Sequence, residues 1–143
     1  MLSSASRPFI KRRWLLGAPD ADAIAGVLAK AERVVTSAIT SAEVGRALRR
    51  LVGTRQLSPE ARDKIWVRYT SALAHWNVYG VTDAVLSRTL DPFPAEPVRT
   101  LDAIHIATAA LYAAEIAPPS VLSADNALRQ NAIGVGLAVT PAE

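Results

Sequence analysis

The chain has 143 residues, half of them apolar and a fifth charged, enough to bury one core and too apolar for a disordered segment. With no cysteine and two histidines, a disulfide framework, a zinc-thiolate site and a histidine-rich metal site are all excluded. The net charge is a modest +3, but residues 1 to 68 hold 13 Lys and Arg against 6 Asp and Glu, and residues 69 to 143 hold 3 against 7, so the first half is basic and the second acidic.

In chain order, Ser3, Ser4, Ser6, Arg7 and Pro8 lack the apolar run that a central strand requires. Lys11, Arg12 and Arg13 precede Trp14, Leu15 and Leu16, and Gly17 to Asp22 ends that run before it reaches the length of a secretory core. Pro19 and Asp20 signal a helix over 21–31, and 33–39 reads as a buried strand. Thr40 or Ser41 then caps a helix to about Leu51, with Glu43 in its first turn. Ser58 followed by Pro59 opens a helix to about Trp76, with Ile65, Tyr69, Ala72 and Leu73 at helical spacing. A short strand at 78–81 follows, then a helix from Thr82 or Asp83 to about Leu90. The three prolines of 91–97 stop that helix in a loop. An alanine-rich helix over 102–116 ends at Pro118 and Pro119. The remainder reads as a strand over 120–124, a helix over 126–132 and a closing strand over 135–140. The chain's longest apolar stretch, 103–117, is broken by His105, Thr108, Tyr112 and Glu115 and falls short of the roughly 20 apolar residues of a membrane span. Short strand-type runs alternating with helices predict a parallel sheet between two layers of helices, in a single domain over 1–143; the lack of a membrane-length apolar run, of an export signal and of cysteine leads to the expectation of a soluble, cytoplasmic protein.

Three acids stand where an apolar run gives way to a helix: Glu43 in TSAITSAEVGRAL, Asp102 in RTLDAIHIATAAL and Asp125 in VLSADNALRQNA. A parallel sheet gathers the carboxyl ends of its strands along one edge, so acids far apart in sequence can meet there. Each acid alone has an ordinary role, because a negative charge in the first turn complements the helix dipole by about 0.3 to 1 kcal/mol. Together they suggest a metal site, since magnesium prefers hard oxygen ligands and is usually held by one or two carboxylates with waters and phosphate oxygens. The basic clusters Arg7, Lys11, Arg12, Arg13, then Arg46, Arg49, Arg50, Arg55, then Arg62, Lys64, Arg68 suit a phosphate backbone, or form a solvated helix surface.

The segments SAITSAEVGRALRRL, LDAIHIATAAL and VLSADNALRQNAIGVGLAV resemble the PIN-domain nucleases, and most closely the VapC toxins of toxin–antitoxin pairs, from about Ile10 to the end. The resemblance implies a three-layer α/β/α fold, acids at the sheet edge holding Mg2+ or Mn2+ for cutting RNA, neutralisation by a small VapB-like antitoxin that lays a helix near the site, and a homodimer. It assigns Glu43, Asp102 and Asp125 to three of the family's four acidic places, as metal ligands and catalytic residues. The fourth ends the family's first strand, in a pattern like YLDSSALVK. Counting back about 38 residues from Glu43 reaches Ala5, and aligning the SSA letters reaches Leu2, neither of which can ligate a metal. Phe9, Ile10 and the basic segment after them resemble the family's first helix, which leaves the first strand degenerate or altered. Asp20 and Asp22 are the nearest substitutes, in positions that suit helix capping.

Two readings of function follow: a metal-dependent endoribonuclease cutting structured RNA, or a catalytically impaired PIN-like module that binds RNA or an antitoxin. A DNA-directed nuclease at the same site is a third. His105, three residues after Asp102, reads as a packed, hydrogen-bonded side chain before it reads as a base. Asn126 reads as a cap of the last helix, Ser123 and Thr100 as turn or phosphate donors, and Trp14, Trp66 and Trp76 as core or interface anchors.

Overall fold

The computed structural model describes residues 8–10, 21–31, 33–123 and 125–140. Its elements run β1 (Pro8–Ile10), α1 (Ala21–Lys30), β2 (Val35–Ser37), α2 (Ile39–Gly53), α3 (Pro59–Leu73), β3 (Asn77–Tyr79), α4 (Asp83–Arg88), α5 (Thr100–Glu115), β4 (Ser120–Leu122), α6 (Asn126–Gly134) and β5 (Ala138–Thr140). The strands form one parallel sheet in the order β3-β2-β1-β4-β5. From β1 the chain moves outward through β2 and β3, then crosses to β4 and β5. The order therefore reverses beside β1, the switch point where open α/β sheets bind ligands at their carboxyl edge.

Alternation along the strands sorts the core into two faces. On one, Val35 and Val121 meet Phe93, then Ala103, Ile106, Ala109 and Tyr112 of α5, and Leu128 and Ala132 of α6. On the other, Val34 and Leu122 meet Val27 and Leu28 of α1 and Ala31 just after it, with Trp76. Helices thus cover both faces of a parallel sheet, the α/β architecture that the alternating sequence pattern predicts.

Three expectations change. Phe9 and Ile10 form no helix: they lie in β1, where Phe9 pairs with Val121 and Val35, and Ile10 with Leu122. Pro8 is tolerated because it is the first residue of the strand. Ala5 precedes β1 in the chain, so it does not follow the strand's carboxyl end; the residue that does is Lys11. Leu2, Ala5, Lys11, Trp14 and Asp20 lie outside the described residues. Second, α2 starts at Ile39 from Ala38, with no side-chain cap. Thr40 and Ser41 are inside the helix, their hydroxyls bonded sideways to Thr36 Oγ1 at 2.9 Å and Tyr69 Oη at 2.7 Å. Third, α6 is capped by Asp125, and Asn126 is its first helical residue.

Candidate active site

A cleft of about 800 Å³ opens at the carboxyl edge of the sheet, and Glu43, Asp102 and Asp125 all line it. They arrive from three separate elements. Glu43 follows β2 and stands in the second turn of α2, past the reach of the dipole at the helix start. Asp102 lies in the first turn of α5, whose Arg99 N-cap makes no side-chain cap bond. Asp125 lies just after β4 and caps α6, its Oδ1 accepting the Leu128 N–H at 3.1 Å. The ordinary helix-start role is therefore present at Asp125, available to Asp102 and absent at Glu43.

Burial separates the three further. Glu43 is 6% exposed, whereas Asp102 and Asp125 are half-buried. A buried carboxylate is costly unless it is paired, and Glu43 Oε1 is bonded to Nε2 of His105, a fully buried imidazole 62 residues away in the chain. His105 is thus a packed partner and does not line the cleft. Burial pushes the Tyr69 phenol above its ordinary value; the Ser41 hydrogen bond opposes that, and the negative charge of Glu43 adds to it.

The turn between β4 and α6 is tied locally. Ser123 Oγ accepts the Asp125 N–H at 3.0 Å, and the Ser123 carbonyl accepts from Arg129 Nη1 at 2.9 Å, so Ser123 is a turn residue. Thr100 is exposed at the start of α5 and lines the cleft beside Arg99. Two polar lining residues, Arg99 and Asn131, escape sequence reasoning. Arg99 carries a signal in hindsight, a cation three residues before Asp102. Asn131 does not: its amide holds the backbone of Ala95, N–H to Oδ1 at 2.8 Å and Nδ2 to the carbonyl at 3.1 Å, a contact 36 residues away in sequence. It braces the 91–99 loop, whose Pro97, Val98 and Arg99 form one wall. Of the described tryptophans neither lines the cleft: Trp66 rests over Gly45 and Tyr69, and Trp76 packs between the α1 and α3 clusters.

The acids lining the cleft offer carboxylate oxygens, the chemistry of a hard cation. Among the described residues no three carboxylate or imidazole groups close on one point. Magnesium takes one or two carboxylates and keeps several waters, and an open, carboxylate-lined cleft fits it on those terms. Among the described residues no helix is long and apolar enough to cross a membrane.

Comparison with known proteins agrees with this architecture. Ribonuclease VapC35 of Mycobacterium tuberculosis, in strains CDC 1551 / Oshkosh and ATCC 25618 / H37Rv, is 37% identical over 108 residues, covering 75% of this chain and 71% of that protein. The crystal structure of PAE2754 from Pyrobaculum aerophilum superimposes with a TM-score of 0.56 over 94% of this chain and 83% of that one, at 16% identity, a likeness of fold. Residues 13–134 match the PIN domain family, and with that match and the VapC relative together, the chain belongs to the PIN domain family, among its VapC-type members.

Proposed function

We propose that this chain is a metal-dependent endoribonuclease toxin that cuts structured RNA and is neutralised by a cognate VapB-like antitoxin. The observation that carries the reading is the convergence of Glu43, Asp102 and Asp125, from three distant segments, on one cleft at the switch point of a parallel sheet. The name of the Mycobacterium tuberculosis relative, a ribonuclease, supports it.

In this reading Asp102 is the most direct ligand of a Mg2+ or Mn2+ ion, with Glu43 and Asp125 binding it or orienting its waters. When bound, the cation supplies charge neutralisation at the phosphate and makes a water more acidic. The chain's own residues do the rest. Asp125 Oδ1 is engaged in capping α6, so its second oxygen is the one left to take a proton from the attacking water. Arg99 and Thr100 stand at the mouth of the cleft beside the start of α5, where a guanidinium, a hydroxyl and helix N–H groups suit a phosphate. The exposed Arg46, Arg49, Arg50 and Arg68 of α2 and α3 extend that charge for an RNA backbone. For the antitoxin and for a second copy of the chain, the exposed Trp66 and Val67 of α3 offer apolar surface.

A second reading, a module that binds RNA or antitoxin without cutting, has one specific observation in its favour: β1 ends at Ile10 and is followed by Lys11, Arg12 and Arg13, with no acid in the next residues. Incubation of an RNA and DNA pool with the chelated protein, then with Mg2+ or Mn2+ restored, separates the readings. The nuclease reading expects RNA cleavage that returns with the cation. A protein that cuts nothing under any cation, and whose RNA affinity falls with salt and with loss of Arg46 and Arg49, is the binding module.

A further inference from the structure

Of the three acids, Glu43 alone is both nearly buried and outside the first turn of its helix. Neither solvent nor the helix dipole stabilises its charge. Its partner is supplied by the same helix that carries Asp102: α5 buries the whole segment from Ala103 to Ala109, and His105, at 0% exposure, directs Nε2 to Glu43 Oε1. One helical turn of α5 thus presents Asp102 to the cleft and holds Glu43 from behind.

We propose that His105 is the positioning residue of this site: by donating its Nε2–H to Oε1 it fixes the rotamer of Glu43 and leaves Oε2 as the oxygen offered to a divalent cation. The inference rests on the nuclease reading above and deepens it. An ionised carboxylate has two acceptor oxygens on a broad terminal torsion, so a bond to one oxygen selects the orientation of the other. A hydrogen bond behind a ligand sets its orientation, and loss of such a partner costs about 10- to 100-fold in metal affinity or activity. Ser41, two residues before Glu43, is held in turn by the buried Tyr69, so this stretch of α2 is braced from α3 while His105 braces it from α5.

The test uses the full-length chain and titration calorimetry with Mn2+, a readout independent of turnover, alongside RNA cleavage and a thermal melt for the unsubstituted protein, His105→Gln, His105→Asn, His105→Leu and Asp102→Asn. A glutamine amide can place its nitrogen where Nε2 stands, and the shorter asparagine cannot reach it. The expected result is Mn2+ affinity within about 3-fold of the parent for His105→Gln, and about 10-fold or more weaker for His105→Asn and His105→Leu, with cleavage following the same order. The asparagine variant carries the contrast if the leucine variant fails to fold. Parental affinity in His105→Asn, or a loss in His105→Gln as large as in His105→Asn, overturns the inference and leaves the nuclease reading standing. A parent that neither binds Mn2+ nor cuts RNA overturns both, and parental behaviour in Asp102→Asn overturns the nuclease reading first.

Discussion

At the scale of single residues, carboxylates that line one cleft serve different ends. Asp125 both caps α6 through Oδ1 and lines the cleft. The two roles separate by substitution: Asp125→Asn keeps a good cap and removes the charge, and Asp125→Ala removes both. We expect Asp125→Asn to unfold at the parental urea midpoint while cutting RNA on the order of 100-fold more slowly, and Asp125→Ala to lose about 1 kcal/mol of stability in addition. Parental cleavage by Asp125→Asn would reduce this residue to a cap. Glu43 presents the opposite case, an acid with no capping duty, buried beside His105. From sequence the two look alike. What distinguishes them is which neighbour reaches the carboxylate, and the His105 contact spans 62 residues that no local pattern connects.

Among the elements, those with strong local punctuation are the most legible. Ser58 caps α3 by accepting the Ala61 N–H at 3.1 Å and α5 ends just before Pro118 and Pro119, as the sequence predicts, and Thr82, one of the two starts the sequence offers for α4, caps it by accepting the Val85 N–H at 3.3 Å. Elements defined by tertiary partners are less so. Thr40 and Ser41 have the chemistry of caps, yet Thr36 and Tyr69 claim their hydroxyls and α2 begins ahead of them. β1 is three residues long, starts with proline and owes its place to pairing with β4 and β2, which its own composition does not announce. The α2–α3 contact makes its own prediction. The Tyr69 phenol lies above its ordinary value of 10.0, chiefly because it is buried. A folded-state value raised above the unfolded one gives stability that is fully present below about pH 10 and lost as pH rises through the raised value. Tyr69→Phe, lacking the Ser41 hydrogen bond, should be less stable by about 1 kcal/mol near neutral pH, and urea unfolding should show the gap narrowing above pH 10. A gap independent of pH would place the effect elsewhere.

For the whole molecule, the sheet order decides the site. Because β1 lies between β2 and β4, the segments that follow those two strands deliver Glu43 and Asp125 to either side of the carboxyl end of β1, and the start of α5 brings Asp102 to the same cleft. The sequence alone predicts the alternation of strands and helices, the parallel sheet and the three acids. It does not predict that Phe9 and Ile10 are the central strand, and therefore that Lys11 is the residue leaving its carboxyl end. The charge asymmetry acts at this scale too. The arginines of α2 and α3 suit a polyanion, and the acids that line the cleft repel one unless a cation neutralises them. We propose that these acids form one cation-dependent nuclease site. The most direct test is the rate of RNA cleavage in Mn2+ by the parent chain and by Asp102→Asn, a substitution that preserves shape and removes one charge. Cleavage by the parent and a loss on the order of 100-fold or more in the variant are expected; equal rates in the two proteins would mean that the acids do not form such a site.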